Sequence, residues 1–296
     1  MMILERSSRP AGKLLRRYTS RSYARCGQPR AAVLRSIGAL VFASVCFYGG
    51  RCEAHQKWLL PNFFVAGKAP AWLSFDVTWS DRPFTAESGV GARPIWIVDP
   101  SGRRQAPPTV FVGKTKSVAE VELTEPGTYR LESIDPLTYW TQVEDNGRTQ
   151  WLKKSKNEVA SGLIKRSDLY WSKATAYVTL GAPTDAPPPD DAEPLDIRIA
   201  AHPNRLVAGE TLNLQVVSYG NPLPRAEVKA YAPDAIGHEP SSTIECDEDG
   251  DGTFKPEVAG RFLLTCQLER EVTDDPKANI HSFNIYLTLE IQPRGE

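Results

Sequence analysis

Histidine and cysteine are scarce in this chain, four and five among 296 residues. The motifs that announce catalysis are missing as well. There is no paired histidine on a helix, no nucleophile elbow and no phosphate-cradling Gly-rich loop. Carboxylate pairs are too abundant to single any out. The chain is therefore expected not to be an enzyme. A long apolar run is also lacking: the only extended one, residues 37–48, falls well short of the roughly 20 residues that span a bilayer.

That run has the length of a signal-peptide core. Ten Lys/Arg against two acids fill residues 1–54, and Cys52-Glu53-Ala54 carries small residues where a signal peptidase reads them. Residues 1–54 are accordingly predicted to be a cleaved signal peptide that leaves His55 as the first residue. An uncleaved anchor is the alternative, and a translation start at Val33 would give an ordinary leader of 33–54.

Removing the leader leaves 25 Lys/Arg against 34 Asp/Glu, a net charge of −9. No basic surplus remains to neutralise phosphates, so nucleic acid is not an expected partner. The mature chain is expected to be periplasmic, soluble and not membrane-spanning. Three cysteines leave with the leader, and Cys246 and Cys266 remain. Each falls on the apolar phase of its strand. A disulfide between them would close a loop of about 20 residues, worth about 3 kcal/mol; two buried thiols are the alternative.

The remaining residues read as short strands with turn punctuation. Leu73, Phe75, Val77 and Trp79 alternate with polar residues, and Ile95–Val98 is stopped by Asp99-Pro-Ser-Gly102. Asn146-Gly147 between residues 139–143 and 149–152 signals a two-residue hairpin. Residues 153–168 alone could be helical. After a Pro-rich acidic segment, residues 182–194, six more strands are predicted at 195–200, 211–217, 226–230, 243–246, 261–268 and 283–291. The prediction is an all-β fold of two immunoglobulin-like or transthyretin-like β-sandwich domains, 55–181 and 195–296, joined by a stiff linker. Pro126-Gly-Thr-Tyr-Arg-Leu131 and Ala259-Gly-Arg-Phe-Leu-Leu264 share a glycine corner leading into an inward aromatic.

Several phrases resemble the periplasmic domain-of-unknown-function 4198 family. They are Ala54-His55-Gln-Lys-Trp58-Leu59-x-Pro61, Lys173-Ala-Thr-Ala-Tyr-Val-Thr-Leu-Gly181, Leu206-Val-Ala-Gly209-Glu210-x-Leu212, Pro222-Leu-Pro-Arg-Ala-Glu-Val228 and Asp247-Glu-Asp-Gly-Asp-Gly-Thr-Phe254. The resemblance covers most of 55–291. It implies two β-sandwich domains and a periplasmic role connected with nickel or cobalt uptake. One departure stands out: where the family pattern places a histidine-containing segment after the first strand, this chain has Trp79-Ser80-Asp81-Arg82.

A histidine at position one offers its α-amine and imidazole to the same metal, so His55 is the leading metal ligand, with Ni, Co or Cu as cargo. It needs at least one further ligand, for which His281, His202 and His238 rank in that order, alongside carboxylates. Asp247-Glu-Asp-Gly-Asp-Gly252 mimics a calcium loop, but the twelfth position is Val258, so a solvated acidic hairpin turn is the better reading. Lys153, Lys154, Lys156, Lys165 and Arg166 beside Trp151, Tyr170 and Trp171 form either a solvated loop or a docking face for an envelope protein or anionic lipid. The resulting expectation is an accessory protein that binds or delivers metal, partnered by a metal-uptake transporter. The alternatives are a structural or adhesive envelope protein without metal, and a copper-centred enzyme acting on a polymer.

Overall fold

The computed structural model describes residues 55–295 apart from 92, 146, 188 and 234–238, so the expected leader lies outside the described residues, as does His238. The first half holds β1 (Gln56–Pro61), β2 (Val65–Ala66), β3 (Ala71–Ser80), β4 (Ser88–Gly89), β5 (Ile95–Val98), β6 (Arg104–Gln105), β7 (Thr109–Val112), β8 (Ser117–Leu123), β9 (Gly127–Asp145), β10 (Arg148–Leu152) and β11 (Ile164–Leu180). The second holds β12 (Asp196–Ile199), β13 (Leu212–Ser218), β14 (Asn221–Pro222), β15 (Glu227–Tyr231), β16 (Ser242–Glu245), β17 (Asp251–Phe254), β18 (Gly260–Glu271) and β19 (Ile280–Ile291). Residues 153–168, expected as the one helical stretch, form instead two single 3₁₀ turns and the start of β11. Among the described residues no helix is long and apolar enough to cross a membrane.

Among the described residues the strands make three sheets. A front sheet runs β1-β3-β8-β7, with β4 paired to β3; a back sheet runs β12-β13-β14, with β17 paired to β13. Between them lies a ten-stranded central sheet, β16-β15-β18-β19-β11-β9-β5-β6, to which β10 and β2 add at the side. Successive residues of a strand point to opposite faces, and here both faces are used. Phe262, Leu264 and Cys266 of β18 enter the core against the back sheet, while Leu263 joins the core against the front sheet. Likewise Ile285 and Leu287 of β19 face back and Tyr286 faces forward. The fold is all-β and immunoglobulin-like, with two sandwich cores that share one sheet.

The joint is a parallel pairing of β11 with β19, from Asp168 opposite Ile280 to Ala176 opposite Thr288. Parallel strands ordinarily lie between two covered faces, and Ala174, Ala176, Phe283, Ile285 and Leu287 along this pair are all buried. Burying each of the large side chains stabilises the fold by about 1.5–3 kcal/mol.

The two glycine corners are structurally equivalent. Gly127 and Gly260 have φ of +141° and +129°. At each, a Cβ would strike a proline ring, Pro100 at 2.6 Å and Pro233 at 2.5 Å. Only glycine meets both demands. Tyr129 and Phe262, two residues on, are buried, and the Tyr129 hydroxyl donates to Glu125 O at 2.7 Å.

The Pro-rich segment runs without regular structure but is pinned. Arg130 Nη1 donates to Pro187 O at 2.9 Å, and Lys173, itself buried, pairs with Glu193 and lies 3.6 Å from Asp196 Oδ1. The acidic turn at Asp247 closes through Gly250, whose amide reaches Asp247 O at 3.1 Å. It is a corner rather than a hairpin, since β16 pairs with β15 in the central sheet and β17 with β13 in the back sheet.

The expected disulfide is not formed: Cys246 and Cys266 are free and buried. The register explains why. Val228 of β15 pairs with Cys266 on one side and with Ile244 on the other, while Cys246 N donates to Ala226 O. A strand therefore separates the two cysteines. Two inter-strand steps of about 4.8 Å exceed the roughly 4.4–6.8 Å between Cα atoms that a disulfide spans.

Candidate metal site

Three chain segments end together at one edge of the front sheet. The antiparallel register sets Gln56 opposite Ser80 and Trp79 opposite Ser88. His55 therefore stands just before β1, Asp81 just after β3, and Glu87 just before β4, with Asp81 in the middle. One ligand atom from each of the three lies within 4.8 Å of the other two.

The surroundings that hold this edge are more buried than the ligands themselves. β1 is buried on both faces. The Lys57 ammonium, fully buried, donates to Ser133 O at 2.9 Å and pairs with Asp135 Oδ2 at 3.1 Å, while standing 5.6 Å over the Trp79 ring. Trp58 Nε1 donates to Ser80 Oγ at 2.8 Å, and that hydroxyl donates to Arg82 O at 2.6 Å, which fixes the chain on both sides of Asp81. The loop then folds back: Thr85 N reaches Arg82 O, Phe84 packs edge-on against Trp58 with centroids 5.7 Å apart, and Asp81 N donates to Glu87 Oε2 at 3.0 Å.

His55 Nδ1 contacts Asp81 Oδ1 directly, and both side chains are open to solvent, 65% and 42% exposed. One imidazole and two carboxylates make a donor set that suits a divalent first-row metal. Metal–ligand bonds of about 2.0–2.2 Å set donor atoms about 3–4 Å apart, so the three groups need only a small closure. If the chain begins at His55, its α-amine adds a second nitrogen to a tetragonal N,O site of the kind Cu(II) or Ni(II) prefers.

Neither His281 nor His202 belongs to this group. His281, near the start of β19, places Nε2 3.2 Å from Asp275 Oδ2 and stacks obliquely on Phe283. Asp275 is desolvated, yet the Lys277 amide and His281 together hold its carboxyl below the usual range. His202 closes a junction: Nδ1 accepts from Asn204 N at 3.2 Å, so Nε2 carries the hydrogen that faces Thr128 Oγ1 at 3.0 Å and Thr184 O at 3.1 Å. Burial, chiefly, and Arg205 push its pKa down, against the Thr184 carbonyl and Asp185.

Asp81 and Glu87 were not named by the sequence as ligands. The one signal was the segment Trp79-Ser80-Asp81-Arg82, where the family pattern carries histidine; a carboxylate occupies that place. A surface cleft of about 810 Å³ lies elsewhere, lined by Gln215, Cys246 and Asp251 among others.

No curated protein matches the chain. Among solved structures, the D0-D1 domain of intimin aligns at 13% identity over 79% of this chain and 96% of that one, with a TM-score of 0.21. FdeC, an Escherichia coli adhesin, aligns at 13% identity over 82% and 65%, with a TM-score of 0.23. The Yersinia pseudotuberculosis adhesin InvE aligns at 11% over 81% and 61%, with a TM-score of 0.20. The chain thus spans less than two thirds of either full adhesin structure, and scores this low bear on neither mechanism nor partner. The family described as Domain of unknown function (DUF4198) matches residues 52–270, nearly three quarters of the sequence, and the chain belongs to it.

Proposed function

We propose that the chain is an exported, non-catalytic accessory protein that binds a divalent transition metal, Ni, Co or Cu, as cargo for an uptake system in the cell envelope. The convergence of His55, Asp81 and Glu87 carries this reading. Their exposure favours it over a structural metal: an open site on a buried, hydrogen-bonded strand is accessible to an ion from solvent. Protons compete with a metal for ligands of this kind, so affinity is expected to weaken as the pH is lowered. The metal stays bound and is handed on; no step of chemistry on a substrate is assigned to it.

Residues 55–295 contain both hydrophobic cores, so the processed chain can be studied alone. The test is titration calorimetry with Ni(II), Co(II) and Cu(II) on the processed protein and on Asp81→Asn and Glu87→Gln. Each substitution keeps the side chain's shape and removes a carboxylate. The reading expects each to weaken binding at least tenfold with the melting temperature unchanged. Affinity unaltered in both would remove these residues from the site. No binding in the parent protein would leave an envelope interaction protein without metal.

A further inference from the structure

The hairpin end of β9 and β10 carries the opposite charge to its surroundings. Residues 144–166 hold six Lys/Arg against three acids in a chain whose residues 55–296 sum to −9. Half of that positive charge is engaged. Lys165 pairs with Glu144 at 2.8 Å, Arg166 with Asp168 and Glu269 at 2.7 Å each, and Lys156 donates to the carbonyls of Asp275 and Ala278. Arg148, Lys153 and Lys154 are exposed and make no salt bridge within 4 Å among the described residues, although Lys154 stands near enough to Glu158 to help hold its carboxyl below the usual range. Between them on edge strand β10 stands Trp151, opposite Gln142 and 45% exposed, and Leu163 in the following turn is 38% exposed.

A half-exposed indole flanked by exposed cations matches a membrane–water interface, where tryptophan settles at headgroup depth and Lys/Arg meet lipid phosphates. We propose that the β9–β10 hairpin end is a peripheral membrane contact that holds the protein against an anionic phospholipid surface. Charge complementarity selects this occupant and also sets the orientation. The rest of residues 55–296 sums to −12, which anionic lipid repels on balance and which favours approach by this end. Each cation near an anionic leaflet is worth roughly fivefold in partitioning, so the three exposed ones give roughly a hundredfold, screened by salt. The contact does not depend on the metal site.

The test is co-sedimentation with vesicles of phosphatidylcholine alone or with phosphatidylglycerol added. The protein is expressed with its own first 54 residues, purified as the cell processes it, and its N-terminus is confirmed by mass. Binding is expected to phosphatidylglycerol vesicles only, to fall steeply with added salt, and to drop at least tenfold in Lys153→Glu/Lys154→Glu. Trp151→Ala should weaken it severalfold. All these side chains are exposed, and an unchanged melting temperature shows that folding is preserved. Absent binding, equal binding to both vesicles, or undiminished binding by the double lysine variant would overturn the proposal. So would capture of an envelope protein through the same residues without vesicle binding.

Discussion

His55, just before β1, and Lys57, within it, stand two residues apart and meet opposite environments. His55 is open to water; the Lys57 ammonium is wholly enclosed, and burial pushes its pKa down to about 8 against the attraction of Asp135. A charge kept in that place depends on its partner. Asp135 also contacts Arg93 and accepts from Ser172 Oγ at 2.7 Å, so it has three donors where Lys57 has a single carboxylate. The asymmetry predicts unequal costs. Asp135→Ala strands a buried ammonium and should destabilise by about 3–5 kcal/mol. Lys57→Met leaves Asp135 with Arg93 and Ser172 and should cost clearly less. Urea unfolding of both variants checks the order; equal losses would mean that Lys57 finds other compensation.

At the scale of elements, the Pro-rich segment is held to the sheets by Arg130, Lys173 and the junction at His202. His202 can make its bonds only when neutral, because Nδ1 must accept from Asn204. Its pKa in the fold is lowered from 6.5, so the unfolded chain takes up the proton first as the pH falls. The junction's contribution is complete above about 6.5 and is lost as the pH drops through the folded-state value. Asp185 and Arg205 are the charged groups that act on it, in opposite senses. Melting temperature should therefore fall between pH 7 and pH 5, and fall less in His202→Gln, whose amide can donate and accept without titrating. An identical slope in the two proteins would contradict the role.

Local periodicity made much of this architecture legible in advance. The alternation from Leu73 to Trp79 is β3, the run Ile95–Val98 is β5, and Asn146-Gly147 falls between β9 and β10, with Asp145 opposite Arg148. Contacts set by distant pairing were hidden. The join of β11 to β19 brings together residues more than a hundred positions apart, and no period records it. Face parity placed both cysteines inward but could not say that β15 runs between them. β17, Asp251–Phe254, is too short and polar to rise above turn chemistry. At the candidate site His55 could be read because the expected cleavage leaves it at position one, where amine and imidazole can share a metal. Asp81 and Glu87 could not, because acids are common in this chain and only the fold selects two of them.

For the molecule as a whole, one sheet with both faces buried makes the two cores share a support. The front core draws on Tyr231, Leu263 and Tyr286, which come from strands that also build the back core. The edge that carries His55, Asp81 and Glu87 is thereby tied to the most deeply buried part of the fold, through β1 packing on β11 and β19. Such an arrangement suits a carrier that must present an ion on a fixed surface. The most direct test is the metal content per chain after equilibrium dialysis of protein whose first residue is His55, compared with protein bearing one additional N-terminal Ala. The account predicts one tightly held Ni, Co or Cu ion per chain in the first and a large loss of affinity in the second, because the extra residue removes the amine from reach of the imidazole. Metal at background level in both would contradict it.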